Sequence, residues 1–199
     1  MNYRFILLFI FFHVGTIKAD LLIEITKGEE GALPIAIVPF GLKSETTIPP
    51  FSVSEIISAN LARSGRFQPV LPSNMLSKPT KNDQVDFRDW RALNVENLVI
   101  GELVSDRPGA FLINFRLYDV YKGEQITGFS IPTTSKDFRS AAHQISDIIY
   151  ETLLGEPGAF NTRIAYITSL RTKIGTDTDG SSLFSEKVDL RIADADGYD

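Results

Sequence analysis

The sequence predicts an α+β fold, a mixed sheet with two main helices on one face, and three observations carry that prediction. Residues 52–64 and 138–155 place apolar side chains at helical spacing. The other apolar runs are short, and several alternate with the two-residue period of a strand. Strands and helices do not follow one another in regular βαβ order, as they would in a doubly wound α/β protein.

In chain order, Leu21, Ile23 and Ile25 fall on one side of an extended segment, with Leu22, Glu24 and Thr26 on the other, so 21–26 reads as a strand. Lys27–Gly31 breaks it. Pro34–Phe40 is nearly all apolar between prolines, the signature of a strand covered on both faces. Ser52 and Glu55 have the spacing of a capping box; Val53, Ile56, Ile57 and Leu61 continue at helical intervals, and Gly65 supplies a left-handed stop. The short run 67–71 is interrupted by Pro69 and is expected at a sheet edge. Phe87–Leu93 can form two helical turns, with Phe87 and Trp90 as core residues. The runs 98–104, 111–118 and 125–131 are joined by turns containing Gly109 and Gly123, which predicts an antiparallel meander. In 138–155, Phe138, Ala141, Ala142, Ile145, Ile148, Ile149, Thr152 and Leu153 line one helical face, and Gly155 and Pro157 end it. His143 lies about 140° around that helix from Phe138 and is expected to be exposed.

The first nineteen residues combine a basic start at Arg4, the apolar run Phe5–Phe12 and a terminal Ala19, the pattern of a cleavable signal peptide cut after Ala19. The run is too short for a membrane-spanning helix, which takes about 20 residues. An exported protein without an integral span in its mature chain is expected. The α+β domain then covers 20–155, a linker 156–162, and two further strands, 163–168 and 188–193, flank a polar loop. A lone hairpin is marginal in water, so it either packs on the first domain or opens a larger β domain.

Composition excludes several functions. Of the 199 residues, 20 are Lys or Arg and 25 are Asp or Glu; without Arg4 and Lys18 the balance is 18 against 25, a formal −7, opposite to the basic surface that nucleic-acid binding requires. Cysteine is absent, which removes disulfides, thiolate metal sites, thiol catalysis and lipid attachment. His143 is the only imidazole besides His13, too little for most zinc sites or a hydrolase triad. Gly175–Glu186 matches a calcium loop at Asp177, Asp179, Gly180 and Glu186, but Gly175 stands at the first ligand position and Ser182 at the apolar one. A solvated turn is the better reading, as it is for Asp194–Gly197. No catalytic residue, metal ligand or cofactor is predicted.

Several segments are similar in order to one family: Pro34–Phe40, Arg63–Pro69, Trp90–Glu96 with Val99–Gly101, Phe160–Ile167 and Leu190–Tyr198. They resemble the TolB family of the Tol–Pal cell-envelope system. The resemblance implies a TolB N-terminal α+β domain over 20–155, with 163–199 as the truncated start of a β-propeller. It also implies a periplasmic, non-enzymatic adaptor that links TolA to the peptidoglycan-associated lipoprotein Pal, serving envelope integrity and cell division. In the family the mature N-terminal segment takes TolA and the propeller takes Pal; the matching residues here are Asp20, Leu21, Leu22, Ile23, Glu24 and Ile25. An alternating strand at a chain end can add to a partner's sheet edge or dock on its own domain, with Gly28 and Gly31 as its hinge. Because propellers also gate serine peptidases, a peptidase fragment lacking its catalytic domain is the alternative.

Overall fold

The apolar run beginning at Pro34 starts a mixed sheet. The structure, a computed structural model, describes residues 31–43 and 48–198; the leader 1–19, the strand predicted over 21–26 and Gly28 lie outside the described residues. Strand β1 (Leu33–Ile37) has Ile35, Ala36 and Ile37 buried on alternating sides, so both faces are covered as its composition requires. Pro39 lacks an amide hydrogen and ends the strand, after which β2 (Gly41–Lys43) resumes parallel pairing farther along the same neighbour.

That neighbour is β4 (Asn97–Arg107), which pairs in parallel with β1 and β2 and antiparallel with β5 (Ala110–Asp119), itself paired with β6 (Glu124–Thr134). The Pro-interrupted β3 (Phe67–Pro69) sits at the edge beyond β1, giving the order β3-β1-β4-β5-β6 with β2 beside β4. At Gly101 in β4 an added Cβ would lie 2.5 Å from the Phe40 ring and 2.6 Å from the Asn114 carbonyl, so the crossing of the β1–β2 connection over β4 needs a residue without a side chain.

Helices α1 (Val53–Arg63) and α3 (Phe138–Leu154) cover one face of this sheet, against Ile35, Ile37, Val99, Ile113, Phe115 and Leu117. The short helix α2 (Phe87–Ala92) and the chain leading to it cover the other, with Trp90 and Met75 against Ala36, Leu98, Ile100 and Tyr118. Ser52 caps α1 by accepting the Glu55 amide, and Gly65 follows at φ +69°. Gly155 ends α3 at φ +74° and donates its amide to the Glu151 carbonyl.

The segment after α3 is tied back to it: the Phe160 and Asn161 amides donate to the two carboxylate oxygens of Asp147 at 2.7 and 3.1 Å, and Phe160 joins the core beneath α3. Strands β7 (Arg163–Thr176) and β8 (Ser182–Asp194) then form a separate two-stranded antiparallel sheet. The hairpin is longer than its apolar ends predict, and the loop expected between 168 and 188 is mostly strand, leaving only 177–181 as the turn. Backbone pairing carries the ladder through polar residues such as Thr172 opposite Ser185, with a bulge between Lys173 and Gly175. Its apolar residues stand open, Ile167 at 69% and Leu190 at 72% exposure.

His143 corrects the expectation of an exposed residue: its exposure is 1%. The apolar stripe of α3 faces the sheet as predicted, but α1 and the end of the hairpin cover a second, polar side of the same helix.

Candidate functional site

The polar side of α3 carries Arg139, His143 and Ser146, three residues brought into line by helical spacing. Opposite them α1 presents Asn60, which occupies a position on that helix's otherwise apolar stripe seven residues after Val53. Arg63, one turn further along α1, donates to Asn60 Oδ1 at 3.0 Å. A guanidinium only donates, so it identifies that atom as the oxygen and turns the Asn60 amide nitrogen toward α3. There Nδ2 donates to Ser146 Oγ at 2.9 Å and meets His143 Nδ1 at 2.8 Å, while the Ser146 hydroxyl donates to the Ala142 carbonyl.

These bonds determine the imidazole's tautomer. Nδ1 must accept, so the ring's proton resides on Nε2. That atom is buried, has no hydrogen-bond partner among the described residues, and points at Asp194 Oδ2 and Asp196 Oδ2, 3.8 and 3.7 Å away. Burial is the chief cause that pushes the imidazole below its ordinary range; Arg139 and Arg63 push the same way, against the two carboxylates. The ring is therefore neutral at pH 7.

Both carboxylates belong to a turn at the end of β8. The Asp194 amide donates to the Tyr198 carbonyl and the Gly197 amide to that of Asp194, both at 2.8 Å, with Gly197 at φ +85°. Asp196 Oδ1 accepts the Tyr198 amide at 3.1 Å, and its Oδ2 is paired with Arg139, whose Nε lies 3.4 Å from Asp194. Burial raises the Asp196 carboxyl, but the Tyr198 amide, Arg139 and His143 outweigh it and hold the group below the ordinary carboxylate range. The Arg139 guanidinium lies 4.0 Å from the Tyr198 ring centre and 5.3 Å from that of Phe51, and the two rings meet edge to face at 5.5 Å. The Ala195 amide donates to the Thr162 carbonyl at 3.0 Å. One short turn thus touches α3, the chain entering α1 and the segment following α3.

His143, Asp194 and Asp196 bring three donor atoms within 4.8 Å of one another, a spacing that could hold a metal ion. The wiring opposes it. A ligating Nε2 needs a free lone pair and an Nδ1–H with an acceptor behind it, whereas Asn60 donates to Nδ1. Arg139 already serves the carboxylate oxygens that face the ring. The arrangement is that of a docking contact between charged and aromatic groups.

Among the residues singled out in the sequence, Gly31 is exposed at φ +119° with open space around it, at the entry to β1. Asp20, Leu21, Leu22, Ile23, Glu24, Ile25 and Gly28 lie outside the described residues. The calcium-loop residues are not brought together as ligands: Asp177 and Asp179 cap the Thr178 and Ser181 amides in the hairpin turn, while Glu186 lies within β8 opposite Arg171. Asp194–Gly197 is the turn expected, yet its contacts were not foreseen. The available signals were polar residues at helical spacing on α3 and Asn60 on an apolar stripe.

A family model described as the TolB amino-terminal domain matches residues 21–126. The Tol-Pal system protein TolB of Thioalkalivibrio sulfidiphilus is 44% identical over 193 residues, 97% of this chain and 42% of that protein. Its counterpart in Nitrosococcus oceani is 43% identical over 183 residues, 92% of this chain and 40% of that protein. The crystal structure of TolB from Acinetobacter baumannii superposes with a TM-score of 0.62 at 30% identity, covering 84% of this chain and 37% of that one. The chain spans about two-fifths of the length of the curated relatives it matches.

Proposed function

The chain belongs to the TolB family, and on that premise we propose that it is the N-terminal part of a periplasmic, non-enzymatic adaptor of the Tol–Pal system. In this reading the segment Asp20–Ile25 binds TolA, and the β7–β8 hairpin opens a propeller that binds Pal, so that one chain connects partners at the two membranes. The observation that carries the reading is the match to the TolB amino-terminal domain, which begins at residue 21, within the proposed partner-binding segment. The site supports it: a fold whose charged groups are spent on docking one structural unit against another is suited to transmitting contacts. Gly31 supports the hinge, since it stands exposed at the entry to β1 with a positive φ that glycine adopts without strain. The peptidase alternative receives no support from the matched relatives.

The mechanism is strand addition. Leu21, Ile23 and Ile25 supply the buried face, main-chain hydrogen bonds supply affinity, and the alternating side chains supply selectivity. Docked and released positions of the segment must differ by only a few kcal/mol for a partner to choose between them. Pull-down with the soluble part of TolA, comparing the chain with a variant lacking residues 20–31, tests the assignment. Loss of binding in the variant is expected; equal binding by both refutes it.

A further inference from the structure

We propose that His143 and Asn60 form an acid-sensitive catch that holds the turn 194–198, and with it the β7–β8 hairpin, against the α+β domain. The catch depends on where a second proton can go. Nε2–H already faces the Asp194 and Asp196 carboxylates, so protonation must occur at Nδ1, which accepts from Asn60. Two N–H groups would then point at each other across 2.8 Å. Rotating the Asn60 amide would relieve this only by breaking the rest of the network: exposed Arg63 would lose its acceptor and turn to water, and Ser146 would lose its donor. Either the ring moves or the Asn60 amide turns, and each disturbs the surface on which the turn is seated.

The charged groups facing the ring divide by element. From the turn, Asp194 and Asp196 favour the imidazolium; from α3 and α1, Arg139 and Arg63 oppose it. Asp196 is the strongest charge favouring the imidazolium, yet its oxygens and those of Asp194 are shared with Arg139, and none of these groups relieves the clash with Asn60 at Nδ1. The catch is closed with a neutral ring and yields when the ring is charged. It links α1, α3 and the hairpin's terminal turn through one chain of side-chain contacts, which makes it a device for the angle between two structural units rather than for either unit's own fold.

The test uses the chain from residue 20 onward, in which His143 is the sole imidazole. Two-bond proton–nitrogen spectra report tautomer and titration together. Expected are the Nε2–H tautomer at pH 7.5, a midpoint below that of a free imidazole, and amide exchange at Ala195–Tyr198 that rises at least tenfold above the intrinsic pH trend as the ring gains its proton. Asn60→Asp, which offers Nδ1–H an acceptor, is expected to move the midpoint upward and abolish the exchange response. His143→Gln, which retains a donor near the Nε2 position but does not titrate, should also abolish it. An Nδ1–H tautomer at pH 7.5 overturns the proposal, as do turn amides indifferent to the titration. So does a zinc-induced shift of Nε2 that pins the turn, which would make the cluster a metal site.

Discussion

At the scale of single residues, Arg139 illustrates how one side chain joins units that are distant in the chain. Its guanidinium reaches Asp194 and Asp196 and stacks against Tyr198, and its side chain is 14% exposed. Little solvent screens these charges, unlike the exposed Arg66–Glu156 pair at 3.9 Å, whose contribution to stability is expected to be slight. Replacing Arg139 with Ala leaves two carboxylates facing a buried ring without a counter-charge. A loss of about 3 kcal/mol in urea unfolding is expected, accompanied by faster exchange in the turn. His143 shows the limit of pattern reading at this scale. An angle of about 140° from Phe138 correctly takes it off the sheet-facing side, but being off that side is not the same as facing water.

At the scale of elements, the helices and the meander were legible because each is written in local chemistry. The cap at Ser52, the apolar stripe of α1 and the stop at Gly65 each fall where the spacing places them. Ser52→Ala removes the side-chain acceptor for the Glu55 amide and is expected to cost about 1 kcal/mol, read as a lowered urea midpoint with an unchanged slope. The hairpin was less legible. Its outer halves scatter a few apolar residues such as Leu170, Ile174 and Leu183 among polar ones, and long-range pairing between 169–176 and 182–188 rather than a clear residue pattern makes them strand. Asp194–Gly197 was recognisable as a turn, since Asp and Gly favour it locally. Nothing local says that α3 receives it.

At the scale of the whole molecule, the junction between the two sheets gives stability a predictable response to pH. His143 is depressed below its ordinary value of 6.5, so as pH falls the unfolded chain takes up this proton first; stability is full above about 6.5 and declines below it until the folded-state value is passed. Asp196 is depressed below its ordinary 3.8, so its contribution is present above that pH and is lost as acid titrates the folded carboxyl. Two successive declines are expected in urea unfolding followed from pH 8 to pH 3, and His143→Gln should remove the first alone. By itself the sequence determined the family, the two main helices with their ends, the meander and the apolar faces that meet the sheet. Helical period, strand alternation, caps and glycines act over a few residues, and the TolB resemblance ran in register along the chain. Tertiary structure alone decided that α3 is covered on two sides, that Asn60 sets the tautomer of His143, and that two aspartates near residue 199 close on an arginine of α3. Those contacts join residues tens of positions apart, and their chemistry depends on which atom of each side chain meets which, a relation that spacing along the chain does not encode.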